Sequence, residues 1–91
     1  MLDMPTQEEM NRLSWHSRRG MLELDVLLVP YTTDVYPTLS PEQRTTYAQL
    51  LACEDADLFT WFMEKETPPE PLLAEMVNMI VQHARASIPA Y

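Results

Sequence analysis

Only one glycine interrupts the 91 residues, and it falls between a basic pair, Arg18-Arg19, and a long apolar helical pattern. A lone glycine in that place marks a junction. Upstream, Met10, Leu13 and Ser14/Ser17 keep helical spacing; downstream, Met21, Leu24, Leu27/Leu28 and Tyr31 recur every three to four residues, so one helix hands over to the next at Gly20. Without a Cβ, Gly20 allows a sharp angle between the two helices and leaves bare backbone that another surface can approach closely.

Arg19 and Glu23 stand four residues apart, so a second helix starting at Gly20 or Met21 would project them from one outward face. Arg placed N-terminal to Glu is the weaker orientation and contributes at most a few tenths of a kcal/mol when exposed. The pair reads either as a solvated salt bridge beside a helix cap or as part of a recognition patch. Arg12, Arg18 and Arg19 form the basic cluster, sufficient to anchor a carboxylate or phosphate. Trp15, so close to the junction, is a core residue with one buried edge or a partner contact. Together Arg18, Arg19, Glu23 and Asp25 flank bared backbone with mixed charge, a patch suited to charge-assisted hydrogen bonds with a partner.

The rest of the chain divides at proline and capping signals. Thr6 reads as an N-cap with Glu9 as the returning half of a capping box, opening a first helix that runs to about Ser17 or Arg18. The second helix carries Leu22, Leu24, Val26, Leu27, Leu28 and Val29 around most of its circumference, which predicts cover on several sides, with Glu23 and Asp25 on the strip reaching solvent. Pro30 should kink this helix, which extends to roughly Val35. Ser40-Pro41-Glu42-Gln43 combines an N-cap serine, proline at the first helical position and a capping-box glutamine, the strongest boundary in the chain. The third helix then places Tyr47, Leu50 and Leu51 inward as far as about Cys53. Leu58, Trp61 and Phe62 share the apolar face of a short fourth helix. Beyond the stiff stretch Glu66-Thr67-Pro68-Pro69-Glu70-Pro71, a last helix starting near Pro69 or Glu70 repeats Leu72/Leu73, Met76/Val77, Ile80 and Ala84. No segment alternates with period two for long, so the expectation is an all-α, compact bundle of about five short helices: one domain over 1–91, frayed at 1–4 and 87–91.

Six basic against fourteen acidic side chains give a net charge of −8, which opposes binding to nucleic acid. No apolar run approaches the ~20 residues needed to cross a bilayer, and the acidic N-terminus lacks the features of a signal or transit peptide, so the expectation is a cytoplasmic rather than a membrane protein. Cys53 is the sole cysteine and reads as a small core residue in a reducing compartment. Glu54, Asp55 and Asp57 resemble a metal-binding cluster, but acids at the start of an apolar helix read better as caps. His16 and His83 lie far apart in sequence, so no metal site is expected. With no nucleophile set, phosphate-cradling loop or CxxC, the pattern does not read as an enzyme.

Arg19-Gly20-Met21-Leu22-Glu23, preceded by Trp15 and Arg18 and followed by Leu24-Asp25, resembles the Arg-Gly-x-x-Glu motif of the small flavinylation factors of succinate dehydrogenase. This family is called SdhE in bacteria and succinate dehydrogenase assembly factor 2 in mitochondria. Pro30, the helix start from Leu39 to Gln43, and Asp57-Leu58-Phe59-x-Trp61 extend the likeness over nearly the whole chain. The resemblance implies a chaperone-like factor that binds the flavoprotein subunit of succinate dehydrogenase and, in related systems, that of fumarate reductase. Such a factor promotes covalent attachment of FAD to a histidine of its partner. In that scheme Trp15, Arg18, Arg19, Gly20, Met21, Glu23 and Asp25 bind the partner, none is a nucleophile, and the FAD belongs to the partner. Acidity and the lack of a nucleotide motif count against this chain holding free FAD. An antitoxin-like or regulatory protein-interaction module is the alternative, using the same surface on another partner.

Overall fold

The computed structural model describes residues 5–87. Among them are five α-helices and one 3-10 turn, with no strand: α1 (Gln7–His16), α2 (Leu22–Asp34), a 3-10 turn (Tyr36–Thr38), α3 (Pro41–Leu51), α4 (Asp55–Phe62) and α5 (Pro71–Ser87). The all-α bundle expected from the sequence is the fold observed. The expected fraying at 1–4 and over the last residues lies outside the described residues, except at Ser87, which still belongs to α5.

Local chemistry explains most boundaries. Thr6 caps α1, its hydroxyl accepting from the Glu9 N–H at 3.0 Å. Glu9 does not return to the cap: its carboxylate accepts a 2.6 Å hydrogen bond from the Tyr36 hydroxyl instead. Ser40 and Gln43 form the full capping box at the start of α3, with Pro41 at the first helical position. That helix stops at Leu51, two residues before the expected end. Helix α5 begins at Pro71 rather than at Pro69 or Glu70, because a residue preceding proline is pushed out of helical geometry. The end of α4 is closed by Glu64 in the left-handed region at φ 60, with Lys65 N–H bonded to the Thr60 carbonyl at 3.0 Å and Glu64 N–H to that of Trp61 at 3.1 Å.

Helix α2 lies at the centre, packing against α1, α4, α5 and the 3-10 turn, while α3 packs on α5. It runs unbroken through Pro30 to Asp34. The hydrogen bond that Pro30 cannot make would have ended on the carbonyl of Val26, and both residues are exposed, so water can take the place of the missing donor. Its inner stripe of Leu24, Leu28, Tyr31 and Thr32 is buried against Tyr47, Leu50, Leu58, Met76 and Ile80. Within this core the Tyr47 ring lies 5.6 Å from Tyr31 and 5.5 Å from Tyr36. The Tyr47 hydroxyl donates to the Leu28 carbonyl at 3.2 Å, so Thr32, 2.6 Å away, is the donor to Tyr47.

Two expectations about the core are narrowed. Helix α2 is covered on several sides but not all round: Leu22 and Val26 are 72% and 57% exposed, since they project opposite to Leu24 and Leu28. Trp61 is only half-buried, leaving Leu58 and Phe62 as the buried residues of α4.

Candidate functional site

The α1–α2 junction is built around Arg19. Gly20 has φ +82, a left-handed conformation that side chains rarely adopt, and Met21 is extended (φ −111, ψ 117) as the N-cap of α2. Helix α2 therefore starts at Leu22, so Arg19 stands outside it and the helical i,i+4 geometry with Glu23 does not arise. A Cβ on Gly20 would meet nothing within 4 Å, so this glycine is required for its dihedral angle rather than for packing within the chain.

Arg19 turns inward. Its side chain is 16% exposed, and Nε donates to Asp55 Oδ1 at 2.7 Å. Nη1 donates to the carbonyls of His16 at 3.0 Å and Leu51 at 2.7 Å, and Nη2 to that of Cys53 at 2.8 Å. His16 and Leu51 are the last residues of α1 and α3, whose carbonyls have no partner within their own helices and carry the negative end of the helix dipole. The planar guanidinium fork suits that convergence, where a lysine would satisfy fewer acceptors. The Arg19 N–H donates to Asp25 Oδ1 at 2.7 Å. One residue thus ties α1, α2, α3 and α4 together.

This arrangement overturns the expected outward ridge of Arg19 and Glu23. Glu23 is exposed, while Arg19 faces the α3–α4 connection. Asp25, expected on the strip that reaches solvent, is half-buried beneath the turn. The capping reading of the acidic run holds in part: Asp55 and Asp57 lie in the first turn of α4 as expected, but the N-cap is Glu54, which makes no side-chain cap bond, and Asp55 also receives Arg19. Cys53 is half-buried with its thiol on the Gln49 carbonyl; burial pushes that thiol up, Asp57 and Glu70 add to the shift, and Arg19 opposes it.

What remains outward is an apolar surface with charges beside it. Trp15, expected to bury one edge, is 76% exposed in the last turn of α1. Leu22 and Val26 form an exposed stripe on α2, Arg18, Gly20 and Glu23 are exposed, and Met21 is half-buried against the core. Leu22 and Val26 were missed as surface residues in the sequence. The signal was present, because apolar residues on opposite faces of α2 exceed what four other short helices can cover.

A groove of about 650 Å³ lies beside this junction, with Leu13, Leu51 and Ala52 together with Glu9, Arg12, His16 and Arg19 along it. Among the described residues no three His, Cys, Asp or Glu side chains come together to hold a metal ion, and no helix is long and apolar enough to cross a membrane.

Residues 11–84, a span holding the whole junction and Asp55, match the family described as flavinator of succinate dehydrogenase. The FAD assembly factor SdhE of Pseudomonas putida is 56% identical over 82 residues, covering 90% of this chain and 98% of that protein. Its counterpart of the same name in Pseudomonas aeruginosa is 50% identical with the same coverage. That of Shewanella oneidensis is 53% identical over 69 residues, 76% of this chain and 84% of the relative. On a family match that takes in most of the helical bundle and relatives at this identity over nearly their full length, the chain belongs to the family of succinate dehydrogenase flavinators.

Proposed function

We propose that this protein is a non-catalytic assembly factor of the cytoplasm that docks on the flavoprotein subunit of succinate dehydrogenase and promotes covalent attachment of FAD to a histidine of that subunit. The observation that carries the reading is the exposure of Trp15, Leu22 and Val26 around the junction spanned by the family match. Large apolar side chains grouped with charges, on a chain this small, fit a surface that is covered in a complex.

In this reading Trp15, Leu22 and Val26 supply contact area, Arg18 and Glu23 supply charge complementarity, and Gly20 and Met21 let the partner's backbone approach. Arg19 and Asp25 act from beneath by holding the turn. The factor favours a partner conformation in which the histidine nitrogen and the flavin methyl group stand in near-attack geometry, or it shields the flavin while the bond forms. The FAD is bound by the partner and not by this chain, whose net charge of −8 disfavours a dinucleotide.

The test follows in-gel flavin fluorescence of the flavoprotein subunit with this chain absent, present, or carrying Trp15→Ala or Glu23→Ala. Fluorescence is expected with the intact chain and is reduced by either variant; equal signal in all lanes overturns the proposal. The flavoprotein of fumarate reductase, run in parallel, tests the second client. Free FAD titrated with the chain alone is expected to keep its fluorescence unchanged.

A further inference from the structure

We propose that Asp55 is a positioning residue for docking: from the first turn of α4 it holds the Arg19 guanidinium and so sets the angle between α1 and α2 at which Trp15 and Glu23 meet the flavoprotein together. The inference rests on the docking reading above.

Arg19 is the last residue before the left-handed step at Gly20, so the path of the chain between α1 and α2 is governed by how firmly Arg19 is held. Its main chain is fixed by Asp25 and its side chain by four bonds, three of them to neutral carbonyls. Among the guanidinium's hydrogen-bond partners in the described residues Asp55 is the sole anion, 2.7 Å from Nε, so this bond alone adds the attraction of two opposite charges to the charge–dipole bonds made by the carbonyls. Asp55 itself is 40% exposed and belongs to no apolar cluster, so the core does not depend on it. Its substitution by asparagine keeps the shape and one acceptor but removes the counter-charge.

The consequence falls on α1. That helix buries Leu13 alone and is tied at its C-terminal end through Arg19. With Asp55 neutral, the guanidinium is held less tightly and α1 samples more orientations relative to α2. A partner that needs Trp15 and Glu23 aligned then finds the competent arrangement in a smaller fraction of molecules, and its apparent dissociation constant rises by the inverse of that fraction. Once bound, the complex is the same.

The test measures the dissociation constant of the chain for the flavoprotein subunit by calorimetry and the final flavinylation at saturating chain. Asp55→Asn is expected to raise the dissociation constant about tenfold, as for a competent fraction reduced to about a tenth, with final flavinylation and helical circular dichroism unchanged. Asp55→Glu, which keeps the charge, is expected to stay within about threefold of the wild type. In a Trp15→Ala background, where α1 has lost its contact, Asp55→Asn is expected to cost less than about threefold, because alignment matters only when both helices engage. An equal loss in both backgrounds, a lowered final yield, lost helicity, or wild-type affinity in Asp55→Asn overturns the inference. Wild-type affinity in Trp15→Ala and Glu23→Ala would instead overturn the docking reading, and this inference with it.

Discussion

The hydroxyl of Tyr36 donates to a carboxylate oxygen of Glu9 at 2.6 Å, tying the first turn of α1 to the turn that follows α2. Tyr36 is 3% exposed, so its hydroxyl has little access to other partners. Tyr36→Phe removes a charge-assisted bond and is expected to destabilise the fold by about 1.5–2 kcal/mol, read as a lower urea midpoint at unchanged slope. Glu9→Gln, which retains an acceptor, is expected to lose less than half as much.

Tyr31 and Tyr36, both packed against the Tyr47 ring, join it in making the fold sensitive to alkali. Burial pushes Tyr47 up to about 12, with Tyr31 adding to the shift and Thr32 opposing it. Burial raises Tyr31, and burial and then Glu9 raise Tyr36. Because each phenol holds its proton longer folded than unfolded, the stability they contribute is complete below about pH 10 and is lost as pH rises above it, for Tyr47 through about 12. Stability measured by urea unfolding is therefore expected to fall steadily above about pH 10, less steeply in Tyr47→Phe.

Gly20 permits a clean separation of strain from contact. Its φ of +82 with no neighbour within 4 Å of a Cβ means that Gly20→Ala introduces conformational strain and no clash. The expected loss is about 1–2 kcal/mol with helix content retained, and Gly20→Asn, which tolerates the left-handed region better, should lose less. Thermal melts of the two variants decide it.

Contact at the proposed docking surface is open to a spectroscopic test. Trp15 is 76% exposed and Trp61 half-buried, so the two indoles report on different environments. A Trp61→Phe chain, excited beside the flavoprotein, is expected to shift its emission to the blue on binding, and Trp15→Phe should remove that shift. As an exposed site, Trp15→Phe is expected to leave stability within about 0.5 kcal/mol.

Features set by neighbouring residues could be read directly from the sequence. Thr6 and Ser40-Pro41-Gln43 cap helices through bonds spanning three residues, and the run of Leu24, Leu28 and Tyr31 identifies its own buried face. Arg19 could not be read in that way. Its acceptors lie 32 to 36 residues downstream as well as three upstream, while the nearest carboxylate by helical spacing, Glu23, belongs to a helix that starts only after the turn. Asp55 had a sufficient local explanation as a helix-start acid, which hid its distant partner. The same limit applies to Leu22 and Val26, whose exposure depends on where the other helices pack. The Arg-Gly-x-x-Glu pattern located the junction and the outward Glu23, but not the inward turn of Arg19.

The long sequence separation between Arg19 and its acceptors also bears on synthesis. A chain growing from its N-terminus carries the whole α1–α2 turn by residue 26, but Leu51, Cys53 and Asp55 are made much later. Until the start of α4 has cleared the ribosome, Arg19 lacks the acceptors that hold the turn. On the proposed docking reading, engagement of the flavoprotein therefore waits on the synthesis of the start of α4.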